Sequence, residues 1–315
     1  MKYSGIGGQA VIEGIMMMKG EDYAVAVRRP DKEIEVKKDT YQSITKKAKI
    51  LQLPFVRGVF RFADSMIIGM RSLSYSASFF EDDEDAEPGK FEQLLDRVFG
   101  EKLESAIMAA VLVISFILAI AIFMLLPLGI ANLFKGVITS DHLMAVLEGV
   151  IRIAIFIIYI KLVSRMEDIR RTFMYHGAEH KCINCVEHGH PLTVKYVRES
   201  SKEHKRCGTS FILIVMVISI LMFMVIRVDT IWMRILSRII LVPVIAGISY
   251  EVLQCAGRSN SKFMDLVSRP GMWMQGLTTK EPDDSMIEVA IAATEAVFDW
   301  REYLTENFPG WEKQL

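Results

Sequence analysis

The sequence predicts a membrane α-helical bundle of about four transmembrane helices, with a cytoplasmic α+β portion built from the N-terminal, middle-loop and C-terminal segments. Three observations carry that expectation. Four long apolar stretches are separated by polar ones, and lysine and arginine gather in one connection rather than in all of them. The polar segments show both strand-like alternation and helical spacing. Of 315 residues, 51% are hydrophobic, and the mean hydropathy is +0.29. The formal net charge of -1 provides no general basic face, so no nucleic-acid partner is expected. The expected partner is the lipid bilayer.

The spans come first in the argument. Ala106 to Leu126 is apolar except for Ser115, and about 20 such residues cross a bilayer core as a helix. Leu143 to Val163, Phe211 to Ile226 extended backward over Gly208 to Ser210, and Ile235 to Gln254 are the other three. Arg238 and Glu251 fall inside the last, and Glu148 and Arg152 stand one helical turn apart inside the second, a spacing that pairs them. The opening residues, MKYSGIGGQAVIEGIMMMKG, have too short an apolar run for a cleavable signal peptide. The loop from Arg165 to Cys207 carries nine lysines and arginines, whereas Pro127 to His142 carries only Lys135. The positive-inside rule then places both termini and the long loop in the cytoplasm. The Arg227 to Arg234 turn runs against this orientation.

The organisation follows. Residues 1–104 form a cytoplasmic N-terminal region, 105–163 the first two spans, 164–207 a His/Cys loop, 208–254 the last two spans, and 255–315 a cytoplasmic C-terminal region. In the first region, YAVAVRRPDKEIEVKK alternates on both sides of a Pro-Asp-Lys turn and reads as a β-hairpin. Phe55, Val59, Phe60, Met66, Ile67 and Met70 recur at helical spacing among Arg57, Arg61 and Arg71. Such a helix fits a membrane surface and a protein core equally well. Glu81 to Lys90 is an acidic linker. Near the C-terminus, Met286 to Tyr303 has helical periodicity, with Asp284 or Ser285 as its N-cap. Cys255 reads as a buried thiol at a helix end, and His188 and His190 as members of a polar turn.

The chemistry concentrates in YHGAEHKCINC, Tyr175 to Cys185. As a helix, it brings His176, Glu179 and His180 onto one face, with Glu187 rejoining that face if the helix continues. His176-x-x-Glu179-His180 has the order of the inverse zinc peptidases: two imidazoles one turn apart to hold Zn²⁺, and a carboxylate to take a proton from water. Glu179 is the catalytic candidate. His204, Cys207 and Glu251 are the candidates to complete the metal ligands beside His176 and His180. Glu251 enters because an ionisable residue in an apolar segment is a functional hypothesis by default. A rival arrangement uses Cys182, Cys185, His204 and Cys207 as a closed structural Cys₃His zinc site. No thioredoxin-like surroundings support a redox role for the CxxC pair.

GGQAVIEGIMM, AVAVRRPDKEI, PFVRGVFR, HGAEHK, HKRCGTSF and RPGMWMQGLTTKEPDDSMIEVAI, in that order, resemble the motifs of the YqhQ-like family of bacterial membrane proteins, from about residue 5 to 300. The resemblance implies a domain of unknown function, some of whose members are described as predicted metal-dependent enzymes. It implies that His176, Glu179, His180, His204 and Cys207 lie within signature blocks, while Cys182 lies just outside one. This favours a site of His176 and His180 with His204, Cys207 or a carboxylate over the Cys₃His site. Glu13 and the C-terminal motif also match and are candidates to complete a composite cytoplasmic site. The expectation is therefore a metal-dependent hydrolase, with zinc or another divalent metal, acting on a membrane-embedded peptide or a lipid-linked substrate. The alternative is a non-catalytic membrane scaffold that docks a membrane protein partner, for example insertion machinery, with a structural metal site or none. The spans show no repeated halves or broken-helix pair that would argue for a transporter.

Overall fold

The computed structural model describes residues 2–80, 103–226, 230–259 and 261–314. The acidic linker Glu81 to Lys90 lies outside them, as do residues 227–229 of the turn that opposes the predicted orientation.

The N-terminal segment is a four-stranded antiparallel meander of β1 (Ile6–Val11), β2 (Gly14–Lys19), β3 (Asp22–Arg28) and β4 (Ile34–Thr40). The predicted hairpin is β3–β4, with Arg28 opposite Ile34. The first hairpin is not legible in the sequence, for a physical reason. Val11, Met16, Val25 and Val27 face one apolar cluster, while Ile6, Ile15, Met17 and Ala26 face another. A strand buried on both faces reads as a continuous apolar run rather than an alternating one. The edge strand β4 is largely exposed and charged, which discourages pairing with other chains.

Helix α1 (Val56–Ala77) packs on one face of the sheet through Ile68. The next apolar segment is α2 (Leu103–Ile120), which continues through a π turn, Ala121–Leu125, into α3 (Leu126–Asn132). Then come α4 (Asp141–Val163), α5 (Glu167–Glu187) and the short α6 (Val194–Glu199). They are followed by α7 (Gly208–Val225), α8 (Ile231–Arg258) and α9 (Lys262–Thr278). After these stand α10 (Asp284–Val297), α11 (Trp300–Asn307) and a further helical turn, Trp311–Gln314.

Among the described residues, four helical segments are long and apolar enough to cross a membrane: Val113–Asn132, Asp141–Val163, Gly208–Val225 and Leu236–Gly257. They overlap the four predicted stretches. Inside this bundle the predicted Glu148–Arg152 pair forms at 2.6 Å and gains a third member: Arg238 of α8 reaches the other oxygen of Glu148 at 2.7 Å.

The polar module is built from three separated segments. The second face of the sheet is covered by α5 and α10, where Tyr175, Ala178 and Cys182 of α5 join Met286, Ile287 and Ala290 of α10 in one core. Trp300, Tyr303 and Leu304 of α11 belong to the same core. The cap of α10 is Asp283, whose side chain accepts from the Met286 N–H, one residue before the predicted Asp284 or Ser285. The predicted continuous helix to Tyr303 breaks at Phe298, where the backbone is extended, and α11 restarts with Asp299 as its cap. Cys255 is exposed rather than buried, because it lies on the outward side of α8.

Candidate metal centre

Helix α5 is polar in sequence yet buried along its second half, including Glu179, His180, Lys181, Asn184 and Glu187. Such groups must be hydrogen-bonded to be buried at tolerable cost. Several find backbone carbonyls in the segment around the end of α6 and the start of α7. Lys181 Nζ donates to the carbonyls of Arg198 and Ser200, both at 2.9 Å. Asn184 Nδ2 donates to those of Ser201 and Glu203 at 2.7 and 2.8 Å. His180 Nδ1 donates to that of Lys202 at 2.7 Å. The helix thereby fixes an irregular segment that delivers His204 and Cys207.

His176 is held in the same manner from another direction. Its Nδ1 donates to the Thr278 carbonyl at 3.0 Å, at the end of α9. That approach requires Gly177, because a Cβ there would stand 2.0 Å from the Lys280 carbonyl oxygen. A carbonyl only accepts, so both imidazoles carry a proton on Nδ1, which makes Nε2 the lone-pair nitrogen of the neutral ring. His176 Nε2 lies 3.2 Å from Cys207 Sγ. One ligand atom each from His176, His180 and Cys207 can be chosen so that all lie within 4.8 Å of one another. Cys207 is also the N-cap of α7, its sulfur accepting from the Thr209 N–H at 3.4 Å, where the helix dipole favours negative charge.

The other expected residues are placed as follows. Glu179 is buried against β1, where a Cβ on Gly8 would meet its Cγ at 2.9 Å. Burial pushes its carboxyl up to about 7, against the opposing influence of His176 and a hydrogen bond from the Gly8 backbone. His204 lies near His180, with ring centroids 5.7 Å apart, but its Nε2 is 3.6 Å from Glu187 Oε2 and it is not in the three-residue group. Burial lowers its pKa to about 4 despite Glu187. Burial alone would raise Glu187, but His204, Arg206 and the Ser4 N–H together hold it at about 2. Glu251 is taken by Arg57, whose Nε and Nη2 reach its two oxygens at 2.7 and 2.6 Å. Glu13 is clamped by Arg171 through both oxygens and receives the Tyr175 hydroxyl at 3.3 Å.

Cys182 and Cys185 do not join His204 and Cys207. Cys182 lies in the core that α5 shares with α10, and Cys185 Sγ points to the carbonyls of His190 and Pro191. Burial raises both thiols. The closed Cys₃His arrangement is therefore absent among the described residues, since the helix turns these two sulfurs away from the histidines. The residues that sequence reasoning missed are positioning ones. Asn184 and Lys181 hold the loop, and Gln275 accepts from the His204 N–H while donating to the His204 carbonyl and Ser210 Oγ. A glutamine within the apolar run MWMQGL is the available signal.

Residues 53–300 match the profile of a family described as "Protein of unknown function (DUF1385)". The chain is also 34% identical over 286 residues to "Uncharacterized protein YqhQ" of Bacillus subtilis (strain 168), covering 90% of this chain and 89% of that protein. No solved structure matches the chain.

Proposed function

The chain belongs to the DUF1385 family, and on that premise we propose that it is a multi-pass membrane protein with a divalent-metal centre at His176, His180 and Cys207, working as a metal-dependent hydrolase. The observation that carries the reading is the pair of Nδ1 hydrogen bonds to backbone carbonyls. Fixing the second nitrogen of each ring in this way is the usual support for a metal-ligating histidine. His176, His180 and Cys207 would hold the ion with three protein donors, the number typical of catalytic rather than closed structural zinc sites. A zinc ion held there would supply an electrophilic centre that acidifies water. Glu179, with a carboxyl pushed up to about 7, is suited to accept and return a proton at neutral pH. The donor set also accommodates copper, so metal identity is part of the test.

In this reading the polar module of residues 1–104, 164–207 and 255–315 stands at the cytoplasmic face of a bacterial inner membrane, with both termini inside. The substrate is a membrane-embedded peptide or lipid-linked molecule. The scaffold alternative has its own support: the Cys207 thiol is already hydrogen-bonded to His176, so two of the three groups pair with each other without an ion.

Metal content of the detergent-purified chain separates the two. Near-stoichiometric metal lost in His176→Ala and Cys207→Ser but kept in Cys185→Ser is the expected result. Glu179→Gln should keep the metal and lose hydrolysis of any substrate found in a screen. No metal in the parent protein would transfer the assignment to the scaffold.

A further inference from the structure

Two helices are amphipathic in the reverse sense to a water-exposed helix. In a soluble protein the large apolar side chains face the core and the polar ones face out. In α1 the protein-facing residues are Gly58, Asp64, Ile68, Gly69, Ser72 and Ser76, whereas Phe62, Met66 and Met70 are 47%, 52% and 54% exposed. In α9 the buried positions are Ser268, Gly271, Met274, Gln275 and Thr278, whereas Phe263, Leu266 and Trp273 are 67%, 60% and 63% exposed. Inward faces made mostly of small and polar residues, with large apolar ones outward, are the arrangement of helices packed in lipid.

Both helices are seated on candidate spans. A Cβ on Gly58 would meet Tyr250 and Gly247 of α8, and one on Gly271 would meet Ser210 of α7. Met274 shares a cluster with Leu213 and Met216 of α7. The exposed faces thus continue the apolar surface of the bundle at the end where α7 begins and α8 finishes. Arg61, Lys262 and Arg269 are exposed beside them, charges that suit anionic headgroups.

We infer that α1 and α9 are lipid-facing helices embedded in the leaflet next to the polar module, so that the bilayer, rather than a second copy or another protein, covers their outer faces. The inference stands on these faces and not on the metal reading.

The test uses the full chain carrying Cys255→Ser, in nanodiscs of phosphatidylcholine and phosphatidylglycerol. Spin labels are placed singly at Met66→Cys, Met70→Cys, Phe263→Cys and Trp273→Cys. Ile239→Cys in a span is the lipid reference and Glu306→Cys in α11 the water reference. Collision with oxygen should exceed collision with a water-soluble nickel chelate several-fold more at the four test sites than at Glu306, and match Ile239. Preference for the nickel chelate would overturn the inference. So would labels reached by neither reagent, which would assign the faces to a protein contact. Four positions keep the result readable if one variant fails to fold.

Discussion

At the residue scale, a histidine ligates through a nitrogen that has no proton, so what holds the other nitrogen decides its availability. The spacing of His176 and His180 is legible in the sequence because one helical turn separates them. Their carbonyl partners, Thr278 and Lys202, are not, because backbone acceptors 102 and 22 residues away leave no side-chain signature. Glu251 stands out as an ionisable residue in an apolar segment, but Arg57, 194 residues distant, claims it. Glu179 makes a pH prediction for chelator-treated protein. Its folded pKa, about 7, lies above the ordinary 4.5. The folded state therefore keeps a proton that the unfolded chain releases, and this contribution to stability is complete below about 4.5 and lost as pH rises toward 7. His204, lowered to about 4, acts with the opposite sign over part of that range. Glu179→Gln should remove only the first effect. The melting temperature of the variant relative to the parent should climb between pH 4.5 and 7 and then level, with a free-energy span of at most about 3 kcal/mol. A difference that is flat with pH would show that burial does not raise this carboxyl.

At the element scale, close approach and charge placement decide more than propensity. The Pro-Asp-Lys turn makes β3 and β4 legible, whereas Pro270 and Gly271, both poor helix formers, lie inside α9. The proline removes one backbone hydrogen bond, and the glycine beside it lets α9 close on Ser210. Gly177→Ala should push the Lys280 carbonyl away from α5, lowering the melting temperature and weakening metal retention during dialysis against a chelator. Unchanged retention would mean that the Thr278 carbonyl does not position His176. Within the bundle, Glu148 sits between two guanidinium groups. Glu148→Gln would leave both without their counter-charge in a low-dielectric setting, a loss of about 3–5 kcal/mol by the measure of broken buried pairs. Thermal unfolding in detergent reads this as a large drop, and Ser219→Ala, which removes a 3.3 Å contact to Arg152 and a hydroxyl that donates to the Met216 carbonyl of its own helix at 2.7 Å but no counter-charge, should cost much less.

At the scale of the whole molecule, the four spans are legible because long apolar runs need no tertiary information. The weaving of the polar module is only partly so: which segments share it follows from charge placement, but not their packing. The sheet, α5 and α10 come from three distant stretches of the chain, and pattern within a segment does not say which distant segment covers it. Arg28 shows the result, donating to the Ser285 carbonyl at 2.7 Å and pairing with Glu288 at 2.8 Å.

That weaving sets an order of events during synthesis. The strands β1 to β4 leave the ribosome well before α10 and α11, with the four long apolar helices in between. Until those helices emerge, the sheet face of Ile15, Met17 and Ala26 lacks part of its cover, and the Lys2 carbonyl waits for the Tyr303 hydroxyl that will donate to it at 2.8 Å. Exposed apolar strands in incomplete chains invite aggregation and proteolysis. Helices α10 and α11 are therefore the closing pieces of this core: a chain cut before them keeps all four strands but leaves that sheet face partly uncovered.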